Sequence, residues 1–281
     1  MFSYVIIGLA ILLAYNPIVQ YLSPQPSRLP RTPRPRINES LLAIDATNQT
    51  APDCPPDSYL VHVLSKAPIV IYVENFLSGE ERSYLLDISE PLFEPSTITH
   101  DGDSTHRDAT IRDSEVALIP RTDPVRCIEA RARAIQGWRN DLWIERLRTQ
   151  RYGINQHYAH HFDWGSGALG WGRASSFMAW VQADDVEGGG TEFPLLYRDA
   201  PDEPWCRWVE CPKAEGNGPS EKDGEPVLGV TFKPVAGNAV YWENFRPDGT
   251  GRGWDETWHA GLPVTKGTKV GLNIWSWGRL S

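Results

Sequence analysis

A mainly β domain with flanking helices is what three features of this 281-residue chain predict. Glycine and proline are frequent, at 24 and 23 residues, and the 12 tryptophans call for burial between turn-linked strands. The second half runs through short alternating segments, "ERLRTQRYG", "SSFMAWVQ", "GVTFKPV", "NAVYWEN" and "TKVGLNIWSW". Gly, Pro and Asp turns separate them, the pattern of a sandwich or small barrel. Only two stretches of the folded part carry helical spacing of apolar residues. The formal net charge of −9 is opposite in sign to the footprint of a nucleic-acid binder, so no nucleic-acid partner is expected.

From the N-terminus, the first element is the apolar run "YVIIGLAILLAYNPIVQYL", within a stretch that has no charged side chain before Arg28. It approaches the roughly 20 residues that cross a bilayer as a helix, so residues 1–22 are expected to be a transmembrane anchor. A cleaved secretory signal is the alternative, but a basic leader and a small-residue cleavage site are both missing. Pro17 would kink the helix. Residues 23–58 follow, with prolines at 24, 26, 30, 33 and 35, and are expected to form a semi-rigid stem. Arg28, Arg31, Arg34 and Arg36 argue for a cytosolic stem. The glycosylation sequons at Asn38 and Asn48 argue for a lumenal one. Four cysteines, an even count, tilt the balance to an oxidising compartment; Cys206 and Cys211 share one polar loop and could pair there, and Cys54 and Cys127 could make a second pair. Two free thiols in the Cys206-x-x-x-x-Cys211 loop are the other reading. The body, residues 59–281, is therefore placed in the endoplasmic reticulum or secretory pathway, on a single-pass anchor.

Within that body, "APIVIYVENFL" (67–77) is β-branched and predicts a strand. Ser78 then caps an acidic first turn, and Tyr84, Leu85 and Ile88 recur helically, which predicts a helix over 78–92. Val125, Ile128, Ala132 and Ile135 predict a second over 123–138. The polar stretch 197–226 is too long for a hairpin loop and is expected to be a surface insertion, stapled if its cysteines pair.

The chemistry concentrates in "YAHHFDW" (158–164). Only residues two apart share a strand face, so His161 and Asp163 can act together, while His160 falls on the opposite face and reads as a non-ligand. Two histidines and one carboxylate make the facial triad of non-haem Fe(II) oxygenases, and His259 is the candidate for the third ligand. Lys269 follows, sharing a face with Gly271, Asn273 and Trp275. Either it is solvent-exposed, or it lies inside and needs an anionic partner such as a bound dicarboxylate.

Residues 68–277 resemble the catalytic domain of prolyl 4-hydroxylases, specifically a fungal-type, alpha-subunit-like member. "ENFLSGEE", "IRDS", "YGINQHYAHHFDW", "RASSFMAWVQADDVEGGGTEFP", "KPVAGNAVYWEN" and "WHAGLPVTKGTKVGLNIW" match that family's segments in order. The resemblance implies a double-stranded β-helix (jelly-roll) core and a dioxygenase that uses Fe(II), 2-oxoglutarate and O2, with ascorbate as reductant. It implies iron at His161, Asp163 and His259. The distal carboxylate of 2-oxoglutarate falls to Lys269, assisted by Tyr158 and by Ser176, which stands where the family has Thr. The implied substrate is a peptide or protein containing proline. A small peptide or secondary metabolite is the alternative substrate, and a non-catalytic jelly-roll binding protein the alternative class. The Cys206 to Cys211 insertion departs from the plainest members.

Overall fold

The computed structural model describes residues 39–280, apart from 47–48, 101–103, 138, 166–169, 199–202 and 212–226. The expected anchor, Asn38 and Asn48 lie outside these residues. Among the described residues no helix is long and apolar enough to cross a membrane.

Ten strands carry the architecture: β1 (Leu60–Lys66), β2 (Ile69–Glu74), β3 (Arg148–Tyr152), β4 (His157–His161) and β5 (Trp171–Gln182) lead. After them come β6 (Thr191–Arg198), β7 (Val227–Phe232), β8 (Ala239–Glu243), β9 (His259–Gly261) and β10 (Lys269–Arg279). The major sheet runs β1-β2-β8-β5-β10-β3 and continues through the short strands Glu115–Leu118 and Glu94–Pro95. The minor sheet runs β7-β6-β9-β4 and ends on Arg112–Asp113. All of these pairings are antiparallel.

The two-residue period sorts the major sheet into two faces. Val73, Phe177, Ala179, Tyr241, Leu272 and Ile274 point to the helices. Val70, Tyr72, Trp180, Val240 and Trp242 point the other way, onto Phe193, Val230 and Phe232 of the minor sheet. Trp180 and Trp242 are fully buried there, on the order of 5 kcal/mol of apolar transfer each. Two antiparallel sheets packed face to face in this way form the expected jelly-roll core.

Helix α1 (Gly79–Ser89) starts where the sequence places it. The Glu81 amide donates to Ser78 Oγ at 3.1 Å, and the Ser78 amide donates to the Glu81 carboxylate at 2.9 Å. This reciprocal cap satisfies two helix-end donors. Helix α2 (Asp123–Ile135) buries its apolar stripe, but it also buries Arg126, Glu129 and Arg131. These charges are paired: Arg121 grips Glu129 at 2.6 Å, and Arg131 reaches Glu81 at 2.8 Å.

Two departures from the sequence reading concern segment roles. Part of the expected stem, residues 41–46 and 49–57, is bound to the domain. Leu42 and Ala43 are buried, and the Ala43 amide donates to the Ile144 carbonyl at 2.8 Å. Arg121 and Arg126 hold Asp45, and a Cys54–Cys127 disulfide ties the segment to α2. The physical reason is a short apolar run, Leu41 to Ile44, that finds a partner in Trp143 and Trp171. Likewise, the 197–226 stretch is not wholly a surface excursion. It carries the Cys206–Cys211 disulfide, and Trp208 and Val209 insert into the core between the sheets. Trp208 stacks on Tyr72 with ring centroids 5.0 Å apart.

Candidate active site

His161 ends β4 and His259 begins β9, directly opposite each other in the antiparallel ladder. A register irregularity between Tyr158 and His161 lets the two rings come within 4.3 Å, centroid to centroid. Asp163, two residues past His161, completes the group. Its carboxylate oxygens lie 3.7 Å from His161 Nε2 and 3.9 Å from His259 Nε2. One ligating atom from each residue falls within 4.8 Å of the others.

The backbone prepares both rings for a metal. His161 Nδ1 lies 2.9 Å from the Ala159 carbonyl, and His259 Nδ1 lies 2.8 Å from the Thr257 carbonyl. A carbonyl only accepts, so each Nδ1 carries the hydrogen and each neutral Nε2 keeps its lone pair. Burial pushes the His259 pKa down to about 4, with repulsion from His161 adding to the effect, so this ring is neutral at pH 7. Burial alone would raise the Asp163 pKa. The imidazoles of His161 and His259 and the Arg173 guanidinium outweigh it and hold the carboxyl well below its usual range. The group thus presents one carboxylate and two imidazole nitrogens toward a common point.

The neighbouring histidines are elsewhere. His160 is exposed and meets Glu192 at 2.7 Å. His157 turns to the Thr110 carbonyl at 3.2 Å.

A cavity opens from the triad toward Lys269. Lys269 is inward-facing and 1% exposed, which decides between the two sequence readings of it. Its Nζ donates to the Gly189 carbonyl at 2.6 Å and sits 4.6 Å from the centre of the Tyr152 ring. Burial pushes its pKa down to about 8, and no carboxylate among the described residues pairs with it. Tyr158 lines the same cavity, stacked on His161 with centroids 3.7 Å apart. Burial raises its pKa and keeps it a phenol.

Ser176 does not line this cavity, in contrast to its expected role in binding the co-substrate. Its Oγ accepts from Asn244 Nδ2 at 3.0 Å. The residue sits one strand repeat beyond Met178, which does line the cavity. Gln150, Thr191 and Asn273 supply the additional polar lining. Asn273 was accessible from the strand period, because it shares a face with Lys269. Gln150 shares one with Tyr152 in the same way, but only the register of β3 against β10 brings the two strands together. Further along that face, Arg173 clasps Glu145 at 2.6 Å and lies over the Trp275 ring, 4.0 Å from its centre.

Comparisons with known proteins agree with this geometry. A family model described as the 2OG-Fe(II) oxygenase superfamily matches residues 147–277, a segment that includes the triad and Lys269. "Probable prolyl 4-hydroxylase 3" of Arabidopsis thaliana is 28% identical over 220 residues, 76% of this chain and 70% of that protein. "Probable prolyl 4-hydroxylase 10" of the same plant is 27% identical over 227 residues, covering 76% and 71%. Among solved structures, the viral collagen prolyl hydroxylase of Paramecium bursaria Chlorella virus-1 shares the fold. It superposes with a TM-score of 0.50 at 20% identity, over 74% of this chain and 96% of that one. Triad, buried lysine and fold agree with these likenesses: residues 147–277 match the 2OG-Fe(II) oxygenase superfamily model, and the chain is similar to Arabidopsis proteins named as prolyl 4-hydroxylases.

Proposed function

We propose that the protein hydroxylates prolyl residues in peptides or proteins, using Fe(II), 2-oxoglutarate and O2. One observation carries this reading: three ligating atoms, from positions 161, 163 and 259, meet beside a buried lysine that has no carboxylate partner among the described residues. The prolyl target is supported by the Arabidopsis relatives, which are named as prolyl 4-hydroxylases.

The donor set fits the metal. His161 Nε2, His259 Nε2 and an Asp163 oxygen would hold Fe(II), and imidazole plus carboxylate suits that ion where thiolates would favour zinc. When bound, the iron couples O2 and 2-oxoglutarate decarboxylation to hydroxylation of an unactivated C–H bond. The chain's own residues bind, orient and exclude water. Lys269 holds the distal carboxylate of 2-oxoglutarate through charge, and the Tyr158 phenol donates a hydrogen bond nearby. Trp242 and Phe193 pack on His259, with centroids 4.9 and 5.3 Å away, and keep solvent from that side. Ascorbate would serve as the external reductant for the site.

We further propose a secretory-pathway setting, anchored through residues 1–22 with the catalytic body lumenal and Asn38 and Asn48 glycosylated. The Cys54–Cys127 and Cys206–Cys211 disulfides support an oxidising compartment.

The test supplies the full chain with Fe(II), 2-oxoglutarate, ascorbate and proline-rich peptides, then measures succinate and a +O product by mass spectrometry. Peptide-dependent succinate with 4-hydroxyproline is expected. Succinate with oxygen on a different residue or on a small metabolite would reassign the substrate. The absence of any decarboxylation with iron bound would leave only a binding role.

A further inference from the structure

Two residues that line the cavity, Gln150 and Trp242, carry a buried donor with no hydrogen-bond partner among the described residues, and Gln150 is the one beside the Lys269 strand position. Gln150 lies mid-strand in β3 and is 1% exposed. Its Oε1 accepts from the Tyr152 hydroxyl at 2.9 Å, which orients the carboxamide. Its Nε2 is buried and has no hydrogen-bond partner among the described residues. Leaving a buried amide donor unpaired costs free energy, so its position on a cavity wall is informative.

The surroundings say what it faces. Gln150 is opposite Gly271 in the β3–β10 ladder, next to the Tyr152–Lys269 pair. Gly271 has no side chain, and Met178 Sδ, which would lie 2.8 Å from a Cβ there, packs over it on the cavity wall. Tyr152 links the two groups. Its ring is 4.6 Å from Lys269 Nζ, and its hydroxyl holds Gln150. A cation and an orphan N–H donor therefore line one cavity, both in contact with Tyr152, a combination suited to a carboxylate.

We propose that Gln150 is a co-substrate-binding residue whose Nε2 donates to the carboxylate that Lys269 anchors. This rests on the 2-oxoglutarate reading above and adds a second donor to that site.

The test is equilibrium binding by titration calorimetry, with the full chain loaded with Mn(II) and kept free of oxygen. Two ligands are compared: 2-oxoglutarate, and 2-oxovalerate, which has the same five-carbon 2-oxo acid without the distal carboxylate. Gln150→Leu should weaken 2-oxoglutarate roughly ten- to hundredfold, the range for one hydrogen bond to a charged group, and leave 2-oxovalerate unchanged. Gln150→Glu should weaken 2-oxoglutarate further, because its carboxylate competes for Lys269. Mn(II) affinity without ligand should be the same in all three proteins, and the melting temperature of Gln150→Leu unchanged or higher, since an orphan amide is gone. Unchanged 2-oxoglutarate affinity in Gln150→Leu, equal weakening of both ligands, or full affinity in Gln150→Glu would each overturn the assignment. Failure of the unsubstituted protein to bind 2-oxoglutarate with Mn(II) would instead defeat the parent reading.

Discussion

Replacing Lys269 with methionine should make the ligand-free protein more stable while ruining its affinity for 2-oxoglutarate. The ammonium is 1% exposed, and burial depresses its pKa from 10.5 to about 8. At 1.36 kcal/mol per unit, holding the charge in place at pH 7 costs about 3 kcal/mol. Methionine matches the length and removes the charge, but it leaves the Gly189 carbonyl without its 2.6 Å hydrogen bond, a loss of about 1 kcal/mol. The net gain at pH 7 is then about 2 kcal/mol, a rise in melting temperature of roughly 4–8 °C for a domain of this size. The pH dependence has a definite sign. Between pH 8 and 10.5 the unfolded chain binds more protons at this site than the folded one, so the unsubstituted protein gains stability as pH rises through that window. The advantage of Lys269→Met should therefore be full at pH 7 and largely gone by pH 10.5. Circular dichroism melts of the metal-free proteins at both pH values read this directly. Calorimetry on the Mn(II)-loaded proteins should show 2-oxoglutarate affinity down by about a hundredfold or more, as for a lost charge-assisted contact. A destabilised Lys269→Met protein at pH 7, or one that keeps its 2-oxoglutarate affinity, would refute the view that this lysine is held charged for a ligand.

Three further outcomes follow from the same structure. Asp163→Ala should abolish both tight Mn(II) binding and peptide-dependent succinate formation, whereas His160→Ala should keep both, because His160 faces Glu192; metal loss in the latter would reverse the choice of histidine. Cys54→Ser with Cys127→Ser frees a 73-residue span and should lower unfolding free energy by about 3–4 kcal/mol without changing metal affinity, measured by denaturant titration. Ser78→Ala removes the α1 cap and should cost about 1 kcal/mol with unchanged turnover.

The parts legible in the sequence are those set by short-range periods. Ser78 with Glu81 announced the start of α1, and the two-residue strand period separated His161 and Asp163 from His160. The parts that stayed hidden depend on which strands become neighbours. Nothing near Gln150 signals that it will lie beside Lys269, 119 residues later, until β3 and β10 pair. Ser176 was placed in the co-substrate site by its position in a motif, and Asn244, a residue far along the chain, took its hydroxyl instead. Leu42 and Ala43 were masked by the prolines before them, because a two-residue apolar contact is too short to stand out against a stem-like composition. Trp205, Trp208 and Val209 are the apolar signals inside an otherwise polar insertion, and Trp208 and Val209 proved to be core.

Both triad imidazoles are oriented by main-chain oxygens, those of Ala159 and Thr257. Every amino acid carries that oxygen, so no point substitution at 159 or 257 can delete the acceptor. The orientation of the rings is inherited with the path of the backbone. A lineage built on this scaffold can exchange the residues around its metal, and with them its choice of substrate, while the nitrogens that face the ion stay aimed. Drift in side chains and retention of the centre are compatible here, and only a shift in strand register would put them in conflict.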